Sequence, residues 1–221
     1  MAKHLKKFET QVAYEAAQSS LILPNVSLTV DNNTVHYNPS TPAPTGHPYV
    51  EIAGIKWAKY NVGATSETEY GDYYQYGKGA DTYQVTSGQS DYSGNENPLA
   101  ASADTATQVW GGQWHMPTQA ELNSLTANTN FTFETDFNGS GVNGGKFTDK
   151  TDSSKYIFIP AAGYYYGSDS PLQEGELGDI WSSSIDGSNR AYYLVSRYND
   201  FTNVTTAMYR EFGFSIRPVL G

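Results

Sequence analysis

Beyond Pro48, glycine interrupts the chain so often that its apolar residues fall into short runs, and all but one of the 21 glycines lie there. Runs of four to eight residues rich in Tyr, Phe, Val and Ile between such breaks form strands, not long helices. The predicted strands are Tyr49–Ile52, Ile55–Asn61, Asp72–Tyr76, Phe131–Thr135, Lys146–Thr148, Tyr156–Pro160, Ile180–Ser184, Ala191–Ser196 and Phe214–Val219. Ala53-Gly54 joins the first two as a hairpin. Residues 77–100 are polar and aperiodic and read as a long surface loop.

Two helical segments stand against these strands. In Met116-Pro117-Thr118-Gln119-Ala120-Glu121, the Thr118 hydroxyl can cap the Glu121 amide while the Glu121 carboxylate reaches back to the Thr118 amide, so a helix starts there with Leu122 and Leu125 facing the core. A shorter helical turn is expected over Asp104–Val109, with Asp104 as its cap. Helices followed by glycine-punctuated strands make the fold class α+β.

Residues 1–40 read differently. Phe8, Val12 and Ala16 recur at helical spacing within Lys6–Gln18, and extended pieces follow at Ile22–Val30 and Thr34–Tyr37 around Asp31-Asn32-Asn33. This small helix and hairpin form an N-terminal module. The run Pro39–Pro48, with four prolines among small polar residues, is a linker, so we divide the chain into 1–40, 41–48 and 49–221.

Composition excludes several functions. A net charge of −10 repels a phosphate backbone, so no nucleic-acid partner is expected. With no cysteine there is no thiolate nucleophile, disulfide or cysteine zinc site. No apolar run approaches the roughly 20 residues needed to span a bilayer, and the basic, polar Met1–Thr10 lacks the apolar core of a secretory signal. The expectation is a protein without membrane insertion or export address.

Four segments carry a resemblance: Ile55-Lys56-Trp57-Ala58-Lys59-Tyr60-Asn61-Val62-Gly63-Ala64, Trp110-Gly111-Gly112-Gln113-Trp114-His115-Met116-Pro117-Thr118, Ile159-Pro160-Ala161-Ala162-Gly163-Tyr164, and Ile180-Trp181-Ser182-Ser183-Ser184 through to Gly213-Phe214-Ser215-Ile216-Arg217-Pro218-Val219. Together they resemble the C-type-lectin-fold domains of gut Bacteroidetes and their phages, including the variable proteins of diversity-generating retroelements. The resemblance covers about residues 49–221. More loosely, Leu23-Pro24-Asn25-Val26-Ser27 and Val35-His36-Tyr37-Asn38-Pro39 resemble a leader module of phage structural proteins.

The motifs also have a physical reading of their own. Gly111, Gly112 and Gly163 permit positive φ or close approach beside bulky rings. Trp57, Trp110, Trp114 and Trp181 read as core residues, each needing a partner for its indole N–H, and Arg217 as a structural ion pair or carbonyl contact.

Catalysis finds no support in the residues. The oxidative enzymes on this fold depend on active-site cysteines. His4, His36 and His47 fall in the leader or linker, and His115 between Trp114 and Met116 reads as structural. No catalytic residue, cofactor or metal ligand is therefore assigned. Glu96-Asn97-Pro98 reads as a turn, and Glu67, Glu69 and Asp72 as a solvated acidic face.

Binding is the remaining reading. Ile185–Glu211 mixes Asp, Ser, Asn, Arg, Tyr and Thr around a central strand, a composition that reads by itself as an ordinary polar loop between strands, although Tyr with Ser and Asn also suits a recognition surface. The resemblance turns the reading toward binding, because the diversified members carry their substitutions in this window. The candidate ligand-binding residues are Asp186, Ser188, Asn189, Ser196, Arg197, Tyr198, Asn199, Asp200, Asn203, Thr205, Thr206, Met208 and Tyr209. The expectation is a ligand- or receptor-binding component of a phage virion that contacts a host surface protein or glycan, with residues 1–40 joining it to other virion proteins. The alternative is a cellular surface adhesin or structural domain without its export signal.

Overall fold

The computed structural model describes residues 27–31, 34–38, 46–83, 92–199, 201–204 and 206–221. The helix expected over Lys6–Gln18, residues 39–45 of the linker and 84–91 of the expected loop lie outside these. Two compact units are distinguished: Met1–Gly46 with Gly111–Gln113, and His47–Trp110 with Trp114–Gly221. In the first, β1 (Ser27–Asp31) and β2 (Thr34–Asn38) pair antiparallel, Val30 opposite Val35.

The second unit is mixed α+β, with mostly antiparallel strands in several small sheets and two short helices. β3 (Tyr49–Ile52) turns into β4 (Ile55–Ala58) through Ala53 and Gly54, whose φ values of 51° and 79° match the twist of a two-residue hairpin. β4 pairs with β15 (Val219–Leu220), which pairs in turn with β6 (Trp114–His115). β7 (Thr129–Glu134), β8 (Gly144–Asp149) and β9 (Tyr156–Pro160) form a meander. β10 (Leu177–Asp186) and β11 (Arg190–Arg197) form a long hairpin, and both β12 (Phe201–Asn203) and β13 (Ala207–Tyr209) pair with the far edge of β11. β5 (Tyr74–Gln75) pairs with β14 (Gly213–Phe214).

Helix α1 (Thr105–Trp110) begins where Asp104 accepts from the Thr107 amide at 2.9 Å. The same carboxylate accepts from the Met116 amide, so it ties α1 to the start of the next helix. That helix, α2 (Gln119–Asn128), has the expected capping box: Glu121 N donates to Thr118 Oγ1 at 3.2 Å and Thr118 N to Glu121 Oε2 at 2.7 Å. His115 is structural, its Nε2 3.2 Å from Glu121 Oε1. Burial raises the Glu121 pKa, but the hydrogen bonds from His115 and Thr118 outweigh it and hold the carboxyl below its ordinary range.

The β10–β11 hairpin separates two cores, and strand alternation assigns its residues to them. Ile180 and Leu194 pack with Leu122 and Leu125 of α2 and with Trp57, Phe147, Ile157 and Ile159. Trp181, Tyr193 and Val195 pack with Tyr74, Tyr76, Trp114, Phe214 and Ile216. A strand covered on both faces loses the polar alternation of a surface strand, and β10 is buried from Leu177 through Ser184.

Two expectations need correction. Phe214–Val219 is not one strand: Phe214 pairs with Tyr74 in one sheet and Val219 with Trp57 and His115 in another. Pro218 has no N–H to give a ladder, and the backbone between serves as a bridge, with Val62 N bonded to Ile216 O and Ala58 N to Pro218 O at 2.9 Å each. The four tryptophans are buried as expected, but only some indoles are satisfied. Trp181 Nε1 donates to Tyr74 O at 3.0 Å, whereas Trp57 Nε1 and Trp114 Nε1 are buried without a hydrogen-bond partner.

Trp181 is fully buried and touches Tyr76, Tyr193 and Phe214. Trp181→Ala is expected to lower unfolding free energy by about 3–5 kcal/mol in urea titration. A loss under about 1 kcal/mol would place that ring outside the core.

Candidate ligand-binding surface

The surface is built on the hairpin, and the hairpin is shaped by Trp181-Ser182-Ser183-Ser184. Trp181 pairs with Tyr193 and Ile185 with Ala191, so β10 spends two more residues than β11 over the same span. Serine makes such a bulge tolerable because its hydroxyl substitutes for ladder partners. Ser182 Oγ donates to Tyr192 O at 2.9 Å and accepts from Ser184 N at 3.1 Å. Backbone groups freed by the bulge reach other segments: Ser183 N donates to Pro117 O at 2.7 Å, and Ser183 O accepts from Leu99 N and from Tyr76 Oη. Ser184 Oγ accepts from Gln119 N at the start of α2.

Beyond the bulge the chain turns through Gly187, Ser188 and Asn189, with Gly187 at φ 70°. Arg210 lies beneath this tip, 2% exposed. Its guanidinium donates to Gly187 O and Gly94 O at 3.0 Å, to Arg190 O at 3.3 Å and to Tyr92 O at 3.4 Å. The same cation sits over the rings of Tyr76 and Tyr92 at 5.3 and 5.6 Å. One side chain thus fastens the 92–94 loop, the hairpin tip and β11 together. The cleft above it, roughly 440 Å³, is lined by Tyr92, Ser93, Ser188, Asn189, Tyr209 and Glu211.

A second cleft of roughly 490 Å³ lies at the other end of the hairpin, where Arg197 and Tyr198 meet Gln173, Glu176 and Leu177. Tyr198 is 67% exposed and meets Phe133 edge-on. Asn199 makes the turn into β12 at φ 74°, a conformation its short polar side chain tolerates.

The candidate residues therefore do not form one face. Ser188, Asn189 and Tyr209 gather at the tip cleft, and Arg197, Tyr198 and Asn199 at the open end, separated by the length of β11, roughly 24 Å at strand rise. Ser196 is in the core, not on the surface: it is fully buried and its Oγ donates to Gly178 O at 3.1 Å. It follows Val195 on a strand enclosed on both faces, so the alternation that exposes a polar residue on an ordinary hairpin fails there. Met208 is half-buried against the Trp181 core. Asp186 is half-buried and 3.5 Å from Tyr192 Oη, while Asn203 and Thr206 are half-buried beside β11. Asp200 and Thr205 lie outside the described residues.

Sequence reasoning missed Arg210 and the 92–94 loop. The signal available was a lone arginine between exposed tyrosine and glutamate, with nothing to mark it as buried. The other residues weighed as possible sites have structural partners. His47 stacks on Trp110, with ring centroids 3.7 Å apart, and burial lowers its pKa. Glu67 pairs with Lys59 at 3.4 Å, and Glu69 accepts from Thr65 N at 2.6 Å. Among the described residues no group of three His, Cys, Asp or Glu side chains is placed to hold a metal ion, and no helix is long and apolar enough to cross a membrane.

Truncating Arg210 strips donors from four carbonyls and leaves a void beneath the tip. Arg210→Ala is expected to cost on the order of 3 kcal/mol in urea titration. Arg210→Lys should recover less than half of that, since an ammonium cannot span the same acceptors. Full recovery by lysine would reduce the role of Arg210 to charge alone.

No family model matches the chain, and neither a curated protein nor a solved structure matches it, so a functional reading rests on these clefts and on the sequence.

Proposed function

We propose that the chain is a non-enzymatic ligand- or receptor-binding protein, a C-type-lectin-like domain over 49–221 that contacts a bacterial host surface as part of a phage virion. Residues 1–40 serve as its attachment module. The observation that supports this most is the division of labour at the tip cleft. Ser93, Ser188, Asn189, Tyr209 and Glu211 line the cleft, and no side-chain hydrogen bond to another described residue involves them. The scaffold beneath is closed by Arg210 and the serine bulge, through backbone carbonyls and amides that are indifferent to the rim. The Tyr209 ring lies under Arg190 at 5.5 Å, but a rim whose hydroxyl, amide and phenol groups are free of side-chain hydrogen bonds within the described residues suits recognition of a protein or glycan.

Binding without catalysis also agrees with the histidines of this domain. His115 supports a helix cap and His47 lies against Trp110, structural roles for both rings.

Combined replacement of Ser188, Asn189 and Tyr209 by alanine tests the reading. The melting temperature should stay within about 3 °C of the parent, because exposed substitutions change stability by about 0.5 kcal/mol or less each. Binding to intact cells across a panel of gut Bacteroidetes should fall more than about tenfold. A folded variant that binds as the parent does would remove the tip cleft from the recognition surface.

A further inference from the structure

Asp179 has no part in either cleft, yet it is the most isolated carboxyl among the described residues. It lies in β10, which is paired to β11 on one side and bridged to Gly163 and Ser215 on the other. Only 4% of it is exposed, and its Oδ1 has no hydrogen-bond partner. An ionised carboxylate in such a place loses its hydration and gains little in return. Its cross-strand neighbour is Val195, and strand alternation puts it on the face of Leu177, Trp181 and Tyr193. The charged and titratable groups that face it are Arg197 and Tyr193 of β11; Tyr164, from the segment beside β10, borders Tyr193. Phe214 of β14, packed on Tyr193, is apolar.

We propose that Asp179 is a proton-operated latch: protonated, it lets the open end of the β10–β11 hairpin close over it, and ionised, it draws water and Arg197 inward and loosens that end. The geometry directs the loosening to the open end. On the opposite face there is no room even for a methyl group at Gly178, which would collide with Ser196 Oγ and crowd Pro160 O, so the strand has little space to shift that way. Toward the cleft, Leu177 and Arg197 are paired at the last rung and border solvent. The proposal concerns the hairpin itself and stands whether or not the clefts bind a host ligand.

Burial raises the Asp179 pKa to about 8, against the lowering effect of the Arg197 charge. Between the ordinary aspartate range near 4 and that value the folded chain holds a proton that the unfolded chain releases. Stability therefore falls as pH rises across this window and levels off above it.

Carboxyl carbon NMR on the wild-type protein reads the site directly. The Asp179 resonance should titrate with a midpoint more than about two units above the ordinary aspartate value, and Arg197→Gln should move that midpoint further up. In parallel, the melting temperature of the wild type should drop by more than about 5 °C between pH 5 and pH 9 relative to Asp179→Asn, which keeps the shape and carries no charge. Amide exchange at Leu177 and Arg197, corrected for intrinsic base catalysis, should accelerate over the same range only in the wild type. A wild-type midpoint near 4 overturns the proposal, and this reading needs no variant. Equal pH dependence in wild type and Asp179→Asn overturns it too, as does exchange that accelerates equally in both.

Discussion

The serine bulge in β10 is the constraint on which the rest of the domain depends. By consuming two extra residues opposite Tyr192, it turns backbone groups outward that would otherwise be spent in the hairpin ladder. Those of Ser183 hold Pro117, Leu99 in the preceding loop and the Tyr76 hydroxyl, while the Ser184 hydroxyl accepts from Gln119 N at the start of α2. The helix, the loop and the aromatic core are therefore registered to one strand. A side chain without a hydroxyl at Ser182 or Ser184 would lose the local hydrogen bonds, and one larger than serine would be crowded, since both are buried.

Two buried guanidiniums extend that registration to the ends of the unit, and both solve the desolvation problem in the same way. Arg217, fully buried, donates to Asn61 Oδ1, Ala58 O, Lys59 O and Phe158 O between 2.6 and 3.1 Å. Burial lowers its pKa to about 9, which leaves it charged at neutral pH. Arg210 does the same for the tip cleft. Carbonyl acceptors come from several segments at once, so each arginine acts as a cross-link between pieces of irregular backbone that have few ladder bonds of their own. This is how a domain of short strands and long connections supports a tip cleft whose Ser93, Ser188 and Asn189 side chains take no part in its hydrogen bonding.

Much of the architecture was legible in the sequence because it is local. Thr118 and Glu121 specify a helix start within four residues, Ala53-Gly54 a hairpin, and Asp104 a cap, and each is found. The burial of all four tryptophans and the carbonyl contacts of Arg217 were also readable from residue type and pattern. What could not be read was non-local. The split of Phe214–Val219 between two sheets depends on partners more than a hundred residues away. The candidate window was legible as a composition but not as a shape. Its residues fall at opposite ends of a strand buried on both faces, so Ser196 turns inward and Ser188 and Tyr198 do not share a surface. Arg210 had no local mark, and its importance comes entirely from carbonyls at Gly94, Gly187 and Arg190 that the fold brings to it.

The central claim is that the exposed rim side chains of the tip cleft can change without loss of the scaffold beneath them. The most direct measurement is a protease-resistance sort of two displayed libraries, one randomised at Ser188, Asn189 and Tyr209, the other at Trp181, Ser182, Ser196, Arg210 and Arg217. Most members of the first library should resist protease as the parent does, and nearly all members of the second should be cleaved. Comparable loss of resistance in both libraries would contradict the account, because the rim would then be part of what holds the domain together.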